Sequence, residues 1–269
     1  MKFSLKNIFT LAIAASALAL TGCGDKEQDL SKIKVGVMAG AEAQVAEVAA
    51  KVAKEKYDLD VELVTFTDYV TPNAALDDGS VDVNAFQHKP YLDQQIADRS
   101  YKLAIAGNTF VYPIAGYSKQ IKSVDELEEG ARIAVPNDPT NLGRSLLLLE
   151  QQGLIELREG AGLLATVRDI TANPKNITIV ELDAAQLPRS LDDVALSIIN
   201  TTYASSIDLT PQRDGIFVED KESPYVNLIV SREENLNAEN VQNFVKAYQT
   251  EEVYNAASDI FKGGVVKGW

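Results

Sequence analysis

What limits this chain most is the order in which two hydrophobic periodicities follow one another. IKVGVMAG (33–40) is a nearly unbroken apolar run, the pattern of a buried strand, and AEAQVAEVAAKVAKEKY behind it places Val45, Val48, Ala49 and Val52 on one helical face. DVELVTF (60–66) alternates as a strand does, SVDVNAF (80–86) supplies a third strand after Asp78-Gly79, and Pro90 is placed to open a helix. YKLAIAGNTFVYPIAGY (101–117) is too long for one ordinary strand and is expected to break at Gly107-Asn108 and Pro113, leading into a crossover. Alternation resumes from Ser123 with a short capped SVDEL helix, strand ARIAVP (131–136) and a helix opening at Asp138-Pro139. Strands ITIVEL (177–182), VALSIIN (194–200) and YVNLIVS (225–231) follow. The end, AENVQNFVKAYQTEEVYNAASDIF, reads as helix with Val241, Phe244, Val245 and Tyr248 on one stripe.

Strand and helix alternating in two blocks predict an α/β protein of two lobes, each with its own sheet. The expected division is 33–114 plus 228–269 for the first lobe and 115–227 for the second. Two crossings would join them, with a ligand cleft at the carboxyl ends of the strands. No internal repeat interrupts this plan.

Ahead of it, Lys2 and Lys6 precede the apolar stretch Ile8–Leu20, which is too short to span about 30 Å of hydrocarbon comfortably and reads as a secretory signal over residues 1–22. Leu20-Thr21-Gly22-Cys23 looks like a lipobox, so Cys23 is expected to become an acylated N-terminus on a flexible tether, 23–32. A buried or reactive thiol is the weaker alternative, because the polar run GDKEQDLSK offers Cys23 no core. The chain has 39 acidic and 25 basic side chains, a formal charge of −14. Its long-range field therefore repels nucleic acid and anionic headgroups. One cysteine and one histidine exclude an internal disulfide and are too few soft ligands for a zinc or iron–sulfur site built by this chain alone, so no metal or cofactor is expected. An exported, lipid-tethered, two-lobed protein points to a solute receptor.

Within that frame VPNDPTNLGRSLLLLEQQG is the most informative segment. Asp138 is a good N-cap and Pro139 a good first helical residue, and Asn141 and Arg144 share a face near the amino end. A guanidinium there can hold a carboxylate through parallel charge-assisted hydrogen bonds; the plain alternative is a surface arginine paired with an acid. In NAFQHKPYLDQQ, Phe86 and His88 fall on one side of an extended segment, with Gln87 facing away and Tyr91 beyond. Together with Tyr69 they could form an aromatic socket for an apolar or thioether side chain, or simply pack as core. His88 has no nucleophile motif beside it, so an exported hydrolase is the least favoured reading. Asn200 and Asn227, at strand ends, each offer a donor and an acceptor suited to a zwitterion, though a turn or core amide is about as good an account. Asn108, after Gly107, reads as a turn residue.

The segments NAFQHKPYLDQQ, NTFVYPIAGYSK, VPNDPTNLGRSLLLL, INTTYA and GIFVEDKESPYVNLIV, with the lipobox and the terminal KGW, resemble the methionine-binding lipoproteins of the NlpA lipoprotein family, the solute receptors of the methionine ABC importer. The resemblance covers essentially the whole chain. It implies a type II-like periplasmic-binding-protein fold, no enzymatic activity, anchoring through acylated Cys23 at the periplasmic face of the cell envelope, and delivery of methionine to a permease driven by a cytoplasmic ATPase. It also implies that Arg144 is the carboxylate clamp with Asn141 beside it, that Asn200 and Asn227 hold the amino-acid backbone, and that Tyr69, Phe86, His88 and Tyr91 wall the thioether. Neither the residues nor the resemblance separates L- from D-methionine. Receptors for another small amino acid or a short peptide, and a surface lipoprotein with a vestigial cleft, are the alternatives.

Overall fold

The computed structural model describes residues 29–220 and 224–269; the expected signal segment, Cys23 and most of the tether lie outside them. Residues 31–269 form one compact unit. It begins β1 (Lys32–Met38), α1 (Ala41–Tyr57), β2 (Asp60–Phe66), α2 (Thr71–Asp77), β3 (Val83–His88), α3 (Lys89–Arg99) and β4 (Leu103–Val111). Residues 112–114 then cross to β5 (Ala115–Tyr117), β6 (Arg132–Pro136), α4 (Pro139–Gln151), β7 (Glu156–Leu157), β8 (Ile170–Ala172) and β9 (Thr178–Leu182). After α5 (Leu187–Ser190) come β10 (Leu196–Ile199), α6 (Thr201–Ser205), α7 (Pro211–Asp214) and β11 (Phe217–Val218). The chain returns to β12 (Val226–Arg232), α8 (Glu239–Tyr248), α9 (Glu251–Ile260) and β13 (Val266–Lys267).

Two main sheets result, ordered β13-β4-β12-β3-β1-β2 and β11-β5-β10-β6-β9. In each, three parallel strands meet one antiparallel strand that arrives directly from a crossing, β12 in the first sheet and β5 in the second. Each sheet has its own core. Val35, Val37, Val83 and Ile229 pack under α1, α8 and α9 through Val45, Val52, Phe244 and Val253. Ile133, Val135, Leu196 and Ile198 pack against Leu142, Leu146 and Leu149 of α4. A third apolar cluster joins the two halves, with Met38, Phe86 and Tyr91 from the first and Ala115, Ile199 and Tyr203 from the second. The carboxyl ends of β1, β2, β3, β6 and β10 thus converge where the halves meet, as expected for open α/β sheets.

Apart from short elements such as α5–α7, β7, β8, β11 and β13, the structure departs from the sequence reading most in four places. Gly107-Asn108 does not break the long apolar run: β4 passes straight through both, with register shifts against β12, and Asn108 is a strand residue whose Nδ2 donates to the Gly268 carbonyl at 3.0 Å. Glycine is required at 107 for packing, since a Cβ there would lie 2.6 Å from Val245 Cγ1 on α8. The helical end is two helices, because Tyr248 closes the first and the Thr250 hydroxyl caps the second by accepting from Val253 N. Helix α2, which carries no apolar period, was not expected. Gln87 does not face away from the cavity that Phe86 and His88 line but helps to line it, and β3 is buried on both faces. It closes an amide cluster in which Asn73 and Gln87 exchange hydrogen bonds at 2.8 and 2.6 Å and Asn84 bonds to both.

Gly143 lies between Asn141 and Arg144 inside α4, where glycine costs about 1 kcal/mol in helix propensity relative to alanine. A Cβ there would sit 2.2 Å from the Leu163 carbonyl oxygen, so the backbone of residues 163–165 rests directly on this helix. Gly143→Ala should therefore destabilise the fold by about 1–3 kcal/mol despite its better propensity. Urea unfolding checks it, and a stabilised variant would contradict the close approach.

Candidate functional site

The eight residues singled out as ligand-binding, Tyr69, Phe86, His88, Tyr91, Asn141, Arg144, Asn200 and Asn227, all line one cavity at the junction of the halves. Tyr112, Thr201, Thr202 and Gln87 complete the wall.

Arg144 is held more firmly than a helix-end arginine needs to be. Its side chain is 4% exposed and its Nε donates to Glu219 Oε1 at 2.7 Å, while Nη2 donates to Glu219 Oε2 and, at 3.1 Å, to the Tyr112 carbonyl. The Tyr225 ring covers the guanidinium face, 4.2 Å from Cζ to the ring centroid. Tyr112 belongs to the first crossing, and Glu219 and Tyr225 to the second, so one side chain binds both connections between the sheets. Nη1 makes no hydrogen bond among the described residues, and its two N–H groups remain for the cavity.

One turn earlier, Asp138 caps α4 by accepting from Asn141 N at 3.0 Å, and its carboxylate also accepts from Asn141 Nδ2 at 2.9 and 3.1 Å. This fixes the orientation of the Asn141 amide: Oδ1 points the other way and accepts from Asn200 Nδ2 at 2.9 Å. His88 completes the chain. Its Nδ1 accepts from Tyr91 N at 3.1 Å, capping α3, so the proton is on Nε2, which donates to Asn141 Oδ1 at 3.2 Å. Burial, reinforced by Arg144, pulls the imidazole down to about 3, so it is neutral at physiological pH. Asn141 thus spends both ends of its amide on orienting neighbours. Asn200 Oδ1, by contrast, is buried with no hydrogen-bond partner among the described residues. Asn227 Nδ2 donates to the Phe86 carbonyl at 3.1 Å across the β3–β12 pairing.

Opposite this polar side stand the aromatic rings. Tyr69 lies 6.0 Å from Phe86 and 5.0 Å from Tyr203 between centroids, Phe86 lies 6.1 Å from Tyr91, and the Tyr91 hydroxyl donates to the Tyr69 carbonyl at 2.7 Å. The cavity therefore offers a charged donor and an amide acceptor on one side and a ring-lined apolar recess on the other. It holds no nucleophile–base pair.

Sequence reasoning missed Glu219, Tyr112, Tyr225 and Thr202, whose roles come from contacts between segments far apart in the chain. It also missed Glu42, for which a signal existed, since Glu42 extends the apolar stripe of α1 by one turn. Its carboxylate is 3% exposed and accepts from the Thr202 hydroxyl of the other half.

An α/β molecule whose two sheets enclose a small chamber with one charged donor, an amide acceptor and an apolar recess is a solute-binding protein of the periplasmic type. The chain matches the NlpA lipoprotein family over residues 33–269 and belongs to it. It is 81% identical, over the whole of both chains, to a probable D-methionine-binding lipoprotein MetQ of Vibrio cholerae. Among solved structures it is similar to the methionine-binding protein MetQ, with a TM-score of 0.89, 71% identity and coverage of 90% of this chain and 99% of that one. It is also similar to a nutrient-binding protein from Burkholderia cenocepacia bound to methionine, with a TM-score of 0.87, 51% identity and coverage of 88% and 100%.

Glu42 generates a pH prediction. Burial pushes its carboxyl from 4.5 up to about 7, the Thr202 hydrogen bond offsetting only part of the shift. The folded chain therefore binds this proton more tightly than the unfolded one. The contribution of Glu42 to stability is full below about pH 4.5 and is lost as pH rises through 7, a change of about 3 kcal/mol. The unfolding free energy of the wild type should fall by that amount relative to Glu42→Gln across this window. A constant difference between the two proteins would show that the carboxyl is not buried as described.

Proposed function

We propose that the protein is a lipid-anchored receptor that captures methionine and delivers it to the permease and ATPase of an ABC importer at the cell envelope. The observation that carries this reading is the pairing, across one cavity, of a guanidinium nitrogen and a buried amide oxygen, both unpartnered among the described residues, with a wall of aromatic rings. Arg144 Nη1 would donate to the ligand carboxylate. Asn200 Oδ1, with Asn227 nearby, would accept from the ammonium, and Tyr69, Phe86 and Tyr91 would surround the thioether, whose sulfur–aromatic contacts are worth about 0.3–1.5 kcal/mol each. Asn141 and His88 would act chiefly by orienting Asn200 and the helix ends. Burying either charge of a zwitterion without such partners would be prohibitive. The match to proteins named for D-methionine binding, and to one bound to methionine, supports the side-chain assignment.

The two sheet-centred halves are proposed to be lobes that close on the ligand by hinge motion where the chain crosses between them, as at residues 112–114. Acylated Cys23 would hold the receptor at the membrane; multiple acyl chains, at about 0.8 kcal/mol per buried methylene, need no spanning helix.

A melting assay over a panel of amino acids tests the reading, since ligand at 100 times its dissociation constant should stabilise by about 2.7 kcal/mol. Methionine, as the L or D form, should give the largest shift; no shift with any amino acid would favour a vestigial cleft. Arg144→Ala is a poor probe of the clamp because it strips buried Glu219 of its partner, which alone costs about 3–5 kcal/mol. Arg144→Lys keeps the charge but has a single nitrogen that cannot serve Glu219 and the ligand in the same geometry. It should fold and bind methionine at least about tenfold more weakly by calorimetry. Unchanged affinity would remove Arg144 from the site.

A further inference from the structure

We infer that Glu219 is a specificity-determining residue: by neutralising Arg144 it makes the ligand ammonium a condition of tight binding, so that the cavity selects a zwitterion over an anion of the same shape. The inference rests on the carboxylate-binding role proposed for Arg144 and adds to it the charge state of the ligand.

Arg144 is the one lysine or arginine lining the cavity, and His88, the other basic residue in the wall, is neutral. A lone buried guanidinium would attract any carboxylate. Here, however, Nε and Nη2 are both engaged by Glu219, whose side chain is 10% exposed, so the positive charge is already matched before a ligand enters. Asp138 lies directly behind, its charge relayed through the Asn141 amide, whose Oδ1 in turn faces Asn200. The protein groups around the ligand backbone therefore sum to zero or negative charge. An incoming monoanion gains the two Nη1 donors but meets the fields of Glu219 and Asp138 with nothing to offset them. A zwitterion brings its own cation, which those same fields favour and for which Asn200 Oδ1 is the unpartnered acceptor. Glu219 needs no contact with the ligand for this effect. It acts through Arg144, by fixing which nitrogen faces the cavity and by setting the local charge.

The test compares methionine with its hydroxy analogue, in which a hydroxyl replaces the ammonium and the molecule is an anion at neutral pH. Dissociation constants for both are measured by calorimetry on the wild type, Glu219→Gln and Glu219→Asp, each checked by thermal melting. The wild type should prefer methionine by at least about a hundredfold. Glu219→Gln should compress that preference by at least about tenfold, through gain of the hydroxy analogue relative to methionine, whereas Glu219→Asp, which keeps the charge, should hold the ratio within about threefold even if both affinities fall. A Glu219→Gln protein that keeps the wild-type ratio, or loses both ligands in equal proportion, would overturn the inference, since Glu219 would then be a structural support only. If Glu219→Gln fails to fold, a wild type that binds both ligands within about threefold overturns it equally. A wild type that binds methionine not at all defeats the receptor reading itself, an outcome distinct from any of these.

Discussion

The ion pair of Arg144 with Glu219 is the contact on which the arrangement of this molecule most depends. A buried ion pair is poor evidence for stability, because the desolvation cost of two charges is repaid only when the geometry is good and the remaining hydrogen-bonding positions are filled. Here all but the two on Nη1 are filled: both Glu219 oxygens accept from the guanidinium, the Tyr112 carbonyl takes a further N–H, and the Tyr225 ring covers one face. What the pair supplies is position. It ties α4, which packs on the second sheet, to both segments that connect the sheets, and leaves Nη1 without a hydrogen bond among the described residues.

Behind the guanidinium, a single aspartate orders the rest of the polar wall. Asp138 caps its helix and captures Asn141 Nδ2, and that choice forces Asn141 Oδ1 to accept from His88 and Asn200. Because His88 Nδ1 is committed to capping α3, its tautomer is set by the backbone of one half while Nε2 bonds to the other. Amide orientations at a binding site are easily scrambled, and here each is determined by its neighbour in an unbroken chain starting from one charge. The unpartnered Asn200 Oδ1 is the free end of that chain.

Much of this was legible in the sequence where the signal is local. The α1 boundaries, the Asp138 cap with Pro139 behind it, and the strands ending at Phe66, Ile199 and Leu182 follow from periodicity and capping chemistry, which act over a few residues. All eight candidate site residues lie on one cavity, and six of them, all but Phe86 and Asn227, sit at or just after a strand's carboxyl end or in a helix start, where α/β sheets place ligands. What was not legible is long-range. Nothing near Glu219 marks it as the partner of a residue 75 positions earlier, and Gly107-Asn108 has the composition of a turn although the α8 side chains over Gly107 require a strand there. The break between α8 and α9 was readable in principle, since Thr250 before two glutamates is a helix-start pattern, but the apolar stripe continues across it and masks the cap.

Glu42 shows why a conflict between local pattern and residue type deserves a physical reading. An acid in the first turn of α1 suits that helix taken alone, but its burial on the packed stripe is unfavourable, and its raised affinity for a proton reflects that cost. Its hydrogen-bond donor, the Thr202 hydroxyl, comes from α6 in the other half, and the Tyr203 hydroxyl beside it donates to the Thr67 carbonyl at 3.3 Å. Both contacts exist only while the two halves meet in this arrangement, whereas the apolar cores of the individual sheets do not need it. The polar groups at the junction are thus satisfied by association of the halves, and the apolar groups by folding of each. If the proposed closure occurs, separation of the halves returns Glu42 to water and relieves its desolvation, so the buried acid opposes closure by itself. Ligand contacts and the apolar cluster shared by Phe86, Tyr91 and Tyr203 must then outweigh it.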